Sequence, residues 1–152
     1  MKRYGNLFQK VFEYDNLKLA HQKAGKDKSF YKEVKMVDAN EDYYLIQIQN
    51  MLMWKTYTIN SIDYKMFKKI DKGKEREIFK LNYFPHRIIQ HALMNVIQDV
   101  LLKSFISNTF ASIPNRGIHL TLKRMSNDID NDIEGTKYCL KMDIKKFYPN
   151  ID

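Results

Sequence analysis

Apolar positions recur at helical spacing in several stretches of the chain and at strand spacing in one. Leu7, Val11, Phe12, Leu17 and Leu19 predict a helix running to His21, with Gly25 as a stop, and Asp15-Asn16 as a point where it could divide into two short helices. A second amphipathic helix is predicted from Asn40 to Trp54, with Tyr44, Leu45, Ile48 and Leu52 on its buried side and Met51 at the margin. After Trp54 the period shortens. Tyr57, Ile59, Tyr64, Met66 and Phe67 sit among Thr, Asn and Lys, and Ile78 and Phe79 follow the turn Asp71-Lys72-Gly73. This predicts a β-hairpin, Tyr64 to Ile70 pairing with Glu75 to Leu81.

Pro85 opens the widest apolar stripe: Ile88, Ile89, Ala92, Leu93, Val96, Ile97, Val100 and Leu101 all fall on one helical face. This helix is expected to be core. A turn-rich loop, NTFASIPNRGIH from Asn108 to His119, leads into a helix expected from about Ile118 to Met125. The acids Asp128, Asp130 and Asp132 alternate as in a calcium loop, but Ile133 stands where that loop needs glycine and Cys139 where it needs glutamate. The stretch 127–135 therefore reads as a solvated connector. Last comes an apolar, β-prone run (Tyr138, Cys139, Leu140, Met142) that delivers Asp143 to its end, a natural position for a metal ligand or for a carboxylate that merely faces water. The class is α+β, mostly helical, with one hairpin and a closing strand.

Composition narrows the partners. With 152 residues, 44% of them hydrophobic, the chain can bury a core, so it is not a disordered tail. A net charge of +8 makes a polyanion the first partner to consider. The lysines Lys23, Lys26, Lys28, Lys32 and Lys35 surround Phe30 and Tyr31, and the hairpin tip adds Lys65, Lys68, Lys69, Lys72, Lys74, Arg76 and Lys80 against Asp71, Glu75 and Glu77. Such runs are solvated faces in most proteins; interleaved with aromatics they also suit a nucleic-acid strand. A single cysteine, Cys139, excludes an intramolecular disulfide framework and a cysteine-rich zinc site, and points to a reducing, cytoplasmic setting. No signal peptide or membrane-spanning run is expected. His86 and His91 lie five apart, off the spacing of a helical metal pair, and read as structural or surface residues.

The block DIKKFYPNID, residues 143–152, resembles the first catalytic motif of bacterial reverse transcriptases. The resemblance extends to KKIDKGKEREIFKLNYFPHRIIQHALMNVI, which is similar to the turn, basic strand and helix of that family's fingers, and to the loop at 108–119, similar to its second fingers motif. There the family arginine before proline is replaced by Ile113. The run YDNLKLAHQKAGKDK resembles the N-terminal helix and basic turn of reverse transcriptases from diversity-generating retroelements and their group II intron-like relatives.

The resemblance implies fingers over residues 1–136 and the start of a right-hand polymerase palm over 137–152, truncated before the Tyr-x-Asp-Asp turn that completes the family's site. It implies that Asp143 and the carbonyl of Ile144 bind Mg2+, two ions in the complete enzyme and none expected in this chain alone. Arg76, with Lys69 or Lys72, would grip the triphosphate of the dNTP. Tyr148 would lie under its sugar and screen out a 2′-hydroxyl. Arg87, Gln90 and Arg116 would approach the RNA template. The implied activity is RNA-directed DNA synthesis on a nucleic-acid primer, with an accessory protein as a possible further partner and no membrane. Two other classes fit the residues: an RNA-binding module without catalysis, and a helical protein-interaction domain.

Overall fold

The computed structural model describes residues 3–71, 73–145 and 147, and the chain divides into two compact units, 1–104 and 105–152. This division follows compactness. The line between fingers and palm expected at 136/137 falls inside the second unit, and compactness does not test it. The described residues are mixed α+β: six α-helices and one two-stranded antiparallel sheet.

In the first unit, α1 (Leu7–Val11), α2 (Tyr14–Gly25), α3 (Lys32–Ala39) and α4 (Glu41–Met53) precede the hairpin strands β1 (Tyr64–Asp71) and β2 (Lys74–Leu81), and α5 (Ile88–Leu102) follows. Helix α5 packs against α1 and α2, and α2 packs against α4. The core is helical: Leu17, Val37, Leu45, Ile48 and Ile88 are wholly buried, joined by Tyr83 from the turn before α5.

The predicted first helix does divide, but at Phe12-Glu13 rather than at Asp15-Asn16. Asn16 lies inside α2 and supplies the reason the break is tolerated. Its side-chain amide donates to the carbonyls of Lys10 and Val11, which the break leaves without helical partners, and to Ala92 on α5, while its oxygen accepts from Asn95. Helix α3 was not expected. Its only buried residues are Val34 and Val37, and its lysines hide that pair in the sequence. The stripe of α5 is buried over less of its length than predicted: Ile88, Ile89 and Ala92 are core, but Leu93 and Leu101 are exposed. Pro85 sits in a wide turn, Tyr83–Arg87, and α5 starts only after it.

The hairpin forms as predicted, with Tyr64 opposite Leu81 and Ile70 opposite Glu75. Gly73 closes its tip at φ 76°, a left-handed conformation that costs glycine least.

A polar chain, buried at His21 and Tyr83 and exposed at Asp38, ties α2 and α3 to the turn before α5. The imidazole of His21 lies 2.7 Å from the Tyr83 hydroxyl through Nδ1 and 2.9 Å from Asp38 Oδ1 through Nε2. With the phenol donating to Nδ1 and Nε2–H donating to the carboxylate, a neutral imidazole satisfies both contacts. Burial pushes the Tyr83 hydroxyl up to about 12, the Asp38 charge adding to the rise and Arg87 opposing it. Raised above its unfolded value, this group supports folding below pH 10 and loses that contribution as pH climbs from 10 to 12. Tyr83→Phe is expected to destabilise the fold by about 1–3 kcal/mol at neutral pH, because a buried ring nitrogen loses its partner. Denaturant melts should also show less alkaline loss for the variant than for the wild type. Equal midpoints at pH 7 would show the chain to be unimportant.

In the second unit, turns over 105–117 lead into α6 (Ile118–Asn131). The helix runs beyond the expected end at Met125 because Ile129 continues the stripe begun by Ile118, Leu122 and Met125; these four remain exposed. The connector expected at 127–135 is thus helical over its first half. Asp132 caps the turn after it, accepting from the Gly135 N–H at 2.8 Å. The expected palm strand is not formed: residues 137–144 take no strand structure and lie exposed, Tyr138 at 94%. A strand is held by a neighbour that accepts and donates along its length, and among the described residues none pairs with this run. No described helix is long and apolar enough to cross a membrane.

Candidate nucleic-acid interface

The hairpin register sorts its side chains onto two unlike faces. Directly opposed residues share a face and successive residues do not, so Lys65, Phe67, Lys69 and Asp71 stand with Lys80, Ile78, Arg76 and Lys74. Five cations against one carboxylate leave this face at +4. Tyr64, Met66, Lys68 and Ile70 occupy the other face with Leu81, Phe79, Glu77 and Glu75, which is apolar and slightly acidic. The excess positive charge of the hairpin is therefore concentrated on one side.

Lys69 and Arg76, two of the residues matched to the triphosphate grip, are cross-strand neighbours on the cationic face. Arg76 is held by Asp71, Nε to Oδ2 at 3.3 Å, in an exposed pair that leaves the rest of the guanidinium fork open. On the opposite face Lys68 is neutralised by Glu75 at 2.8 Å. Lys72 and Tyr148 lie outside the described residues.

At its base the cationic face meets α3. Lys65 approaches Glu33 at 4.0 Å, and the Lys80 ammonium stands 5.5 Å from the centre of the Tyr31 ring, which itself packs on Phe30. Arg87 and Gln90 border a shallow cleft of about 330 Å³ beside the hairpin, together with Phe67, Ile78 and Lys80. These two template candidates thus lie next to the cationic face. His86 is buried, its Nδ1 2.9 Å from the Tyr57 hydroxyl, which fits the structural role expected of it.

Arg116 is engaged within the second unit. Its guanidinium donates to the carbonyls of Ser107 and Thr109, at 3.4 and 3.2 Å, and its backbone N–H closes the turn on Ile113. That guanidinium fastens its own loop. Asp143 and Ile144 lie exposed on the unpaired segment. Among the described residues no group of three His, Cys, Asp or Glu side chains gathers, so Asp143 has no companions there with which to hold a pair of magnesium ions.

The contribution sequence reasoning missed is that of Lys28 and Lys32, which flank a cavity with Arg87; the basic run was visible, but its neighbours across the fold were not. Compared with known proteins, the chain matches no family model and no curated relative.

Proposed function

We propose that this chain is the nucleic-acid-handling fingers of an RNA-directed DNA polymerase, a reverse transcriptase, together with the beginning of its palm. The observation that carries the reading is the hairpin face, on which Lys69 and Arg76 stand side by side among five cations and one carboxylate. An Arg fork and a Lys point charge at one cross-strand position suit phosphate oxygens, whether of a triphosphate or of a template backbone. The order of the motifs along the sequence supports the polymerase reading over a generic basic surface. In this proposal Asp143 belongs to a catalytic centre completed by residues the described structure does not bring to it.

Single-stranded RNA titrated against the chain at several salt concentrations is expected to bind at moderate salt. Its log affinity should fall linearly with log salt, by about 0.7 per phosphate contact. A helical protein-interaction domain predicts no binding there. Reading the encoding gene past codon 152 separates the remaining classes: a Tyr-x-Asp-Asp turn between two apolar strands supports the polymerase, and a stop codon supports an RNA-binding module without catalysis.

A further inference from the structure

A second basic feature adjoins the base of the hairpin face and has a different shape. A cavity of about 300 Å³ is walled by Lys28, by Tyr31 and the first turn of α3 (Lys32, Glu33, Val34), and by Lys80, Tyr83 and Arg87. We propose that this cavity receives a terminal phosphate group, a phosphate monoester carried by a free nucleotide or by the 5′ end of a nucleic acid.

Charge is the first argument. Four cations face one carboxylate, leaving +3 around the cavity. That carboxylate is already engaged: Glu33 accepts the backbone N–H of Tyr83 through one oxygen and approaches Lys65 through the other. The side chains of Lys28, Lys32 and Arg87 make no hydrogen bond or ion pair with any described residue. Arg87 supplies the second argument. Its Nε is shut off from solvent and has no acceptor, which is unfavourable for any buried donor and more so for a charged one. Nε itself is sealed, so an oxyanion in the cavity would meet Arg87 through the remainder of its guanidinium.

The field of the cluster reaches a neighbour. The His91 imidazole is held below its ordinary value of 6.5 by burial, and then by the charges of Arg87, Lys28 and Lys23. The positive potential is thus not cancelled locally.

Size and valence select the ligand. A cavity of about 300 Å³ stands at the lower limit of small-ligand pockets, suited to a compact group rather than to a strand running through. A phosphate monoester carries close to two negative charges at neutral pH and three terminal oxygens, enough to meet an Arg fork and more than one ammonium; an internal phosphodiester carries one charge and continues on both sides. The inference stands on the cavity and goes beyond the polymerase reading, so either can fail alone.

The test uses four probes on the whole chain at fixed salt: adenosine, adenosine 5′-monophosphate, and one short RNA with either a 5′-phosphate or a 5′-hydroxyl. The expected result is that the monophosphate, but not adenosine, binds and raises the His91 titration midpoint seen by NMR. Arg87→Gln should weaken that binding about tenfold or more, the loss of a charged fork. Lys28→Gln, a change at a half-buried lysine with no partner, should weaken it several-fold if Arg87→Gln does not fold. A preference for 5′-phosphate over 5′-hydroxyl RNA identifies a nucleic-acid end as the source. Equal affinity for the two RNAs, with monophosphate binding retained, identifies a free nucleotide. The proposal is overturned if the monophosphate behaves as adenosine does and the two RNAs bind alike, or if neither substitution weakens binding. RNA binding that persists in that case leaves the hairpin reading standing.

Discussion

Reversing two charges on one face of the hairpin, Lys69→Glu with Arg76→Glu, is expected to lower affinity for single-stranded RNA by roughly a hundredfold at moderate salt, two charge-assisted phosphate contacts being lost at once. The pair takes the face from +4 to zero, since each change removes one positive charge and adds a negative one. Salt dependence should flatten by about 0.7 per contact removed. Folding should be almost unaffected. Both side chains are exposed, and the Arg76–Asp71 pair that is lost is of a kind worth about 0–1 kcal/mol. The control is Lys68→Glu, on the opposite face and already neutralised by Glu75, which should cost much less affinity. Filter binding or fluorescence anisotropy on the three proteins decides the matter. Equal losses from both faces would mean that RNA responds only to the net charge of the chain.

The largest expected loss of stability is at Ile88. It is wholly buried in the cluster shared by α2, α4 and α5, and Ile88→Ala removes three carbon atoms from a packed interior. Such changes cost about 2–5 kcal/mol, against about 5–15 kcal/mol for the whole stability of a typical domain. Ile62→Ala makes the same chemical change at a side chain 86% exposed and should stay within about 0.5 kcal/mol of the wild type. Urea melts followed by helical circular dichroism compare the two. If both shift alike, Ile88 is not in the core described above.

What could be read from the sequence was what local pattern determines. The hairpin was legible because a Gly-containing turn separates two runs of strand period, and the pairing follows once the turn is fixed. Helix α4 was legible because Leu45, Ile48 and Leu52 repeat on one face. The break between α1 and α2 was misplaced by about three residues, because what permits it is an asparagine whose amide reaches a carbonyl 76 positions away. Helix α3 was missed because two valines among lysines give too weak a period. The palm strand was expected from a β-prone run and from the family resemblance of residues 143–152, and propensity without a neighbour does not make a strand. Of the proposed interface, Lys69 and Arg76 could be named from sequence, and their juxtaposition followed from the register. The phosphate cavity could not be foreseen, since Lys28 and Arg87 meet only through tertiary packing.

The core of the first unit lies entirely in helices and in Tyr83, and no hairpin residue belongs to it. The set of residues that keeps this unit folded and the set that gives the hairpin its charge pattern are therefore disjoint. Selection can act on them separately. A lineage can exchange the hairpin's lysines, trade one polyanion preference for another, or silence the face altogether, and pass through no unfolded intermediate on the way.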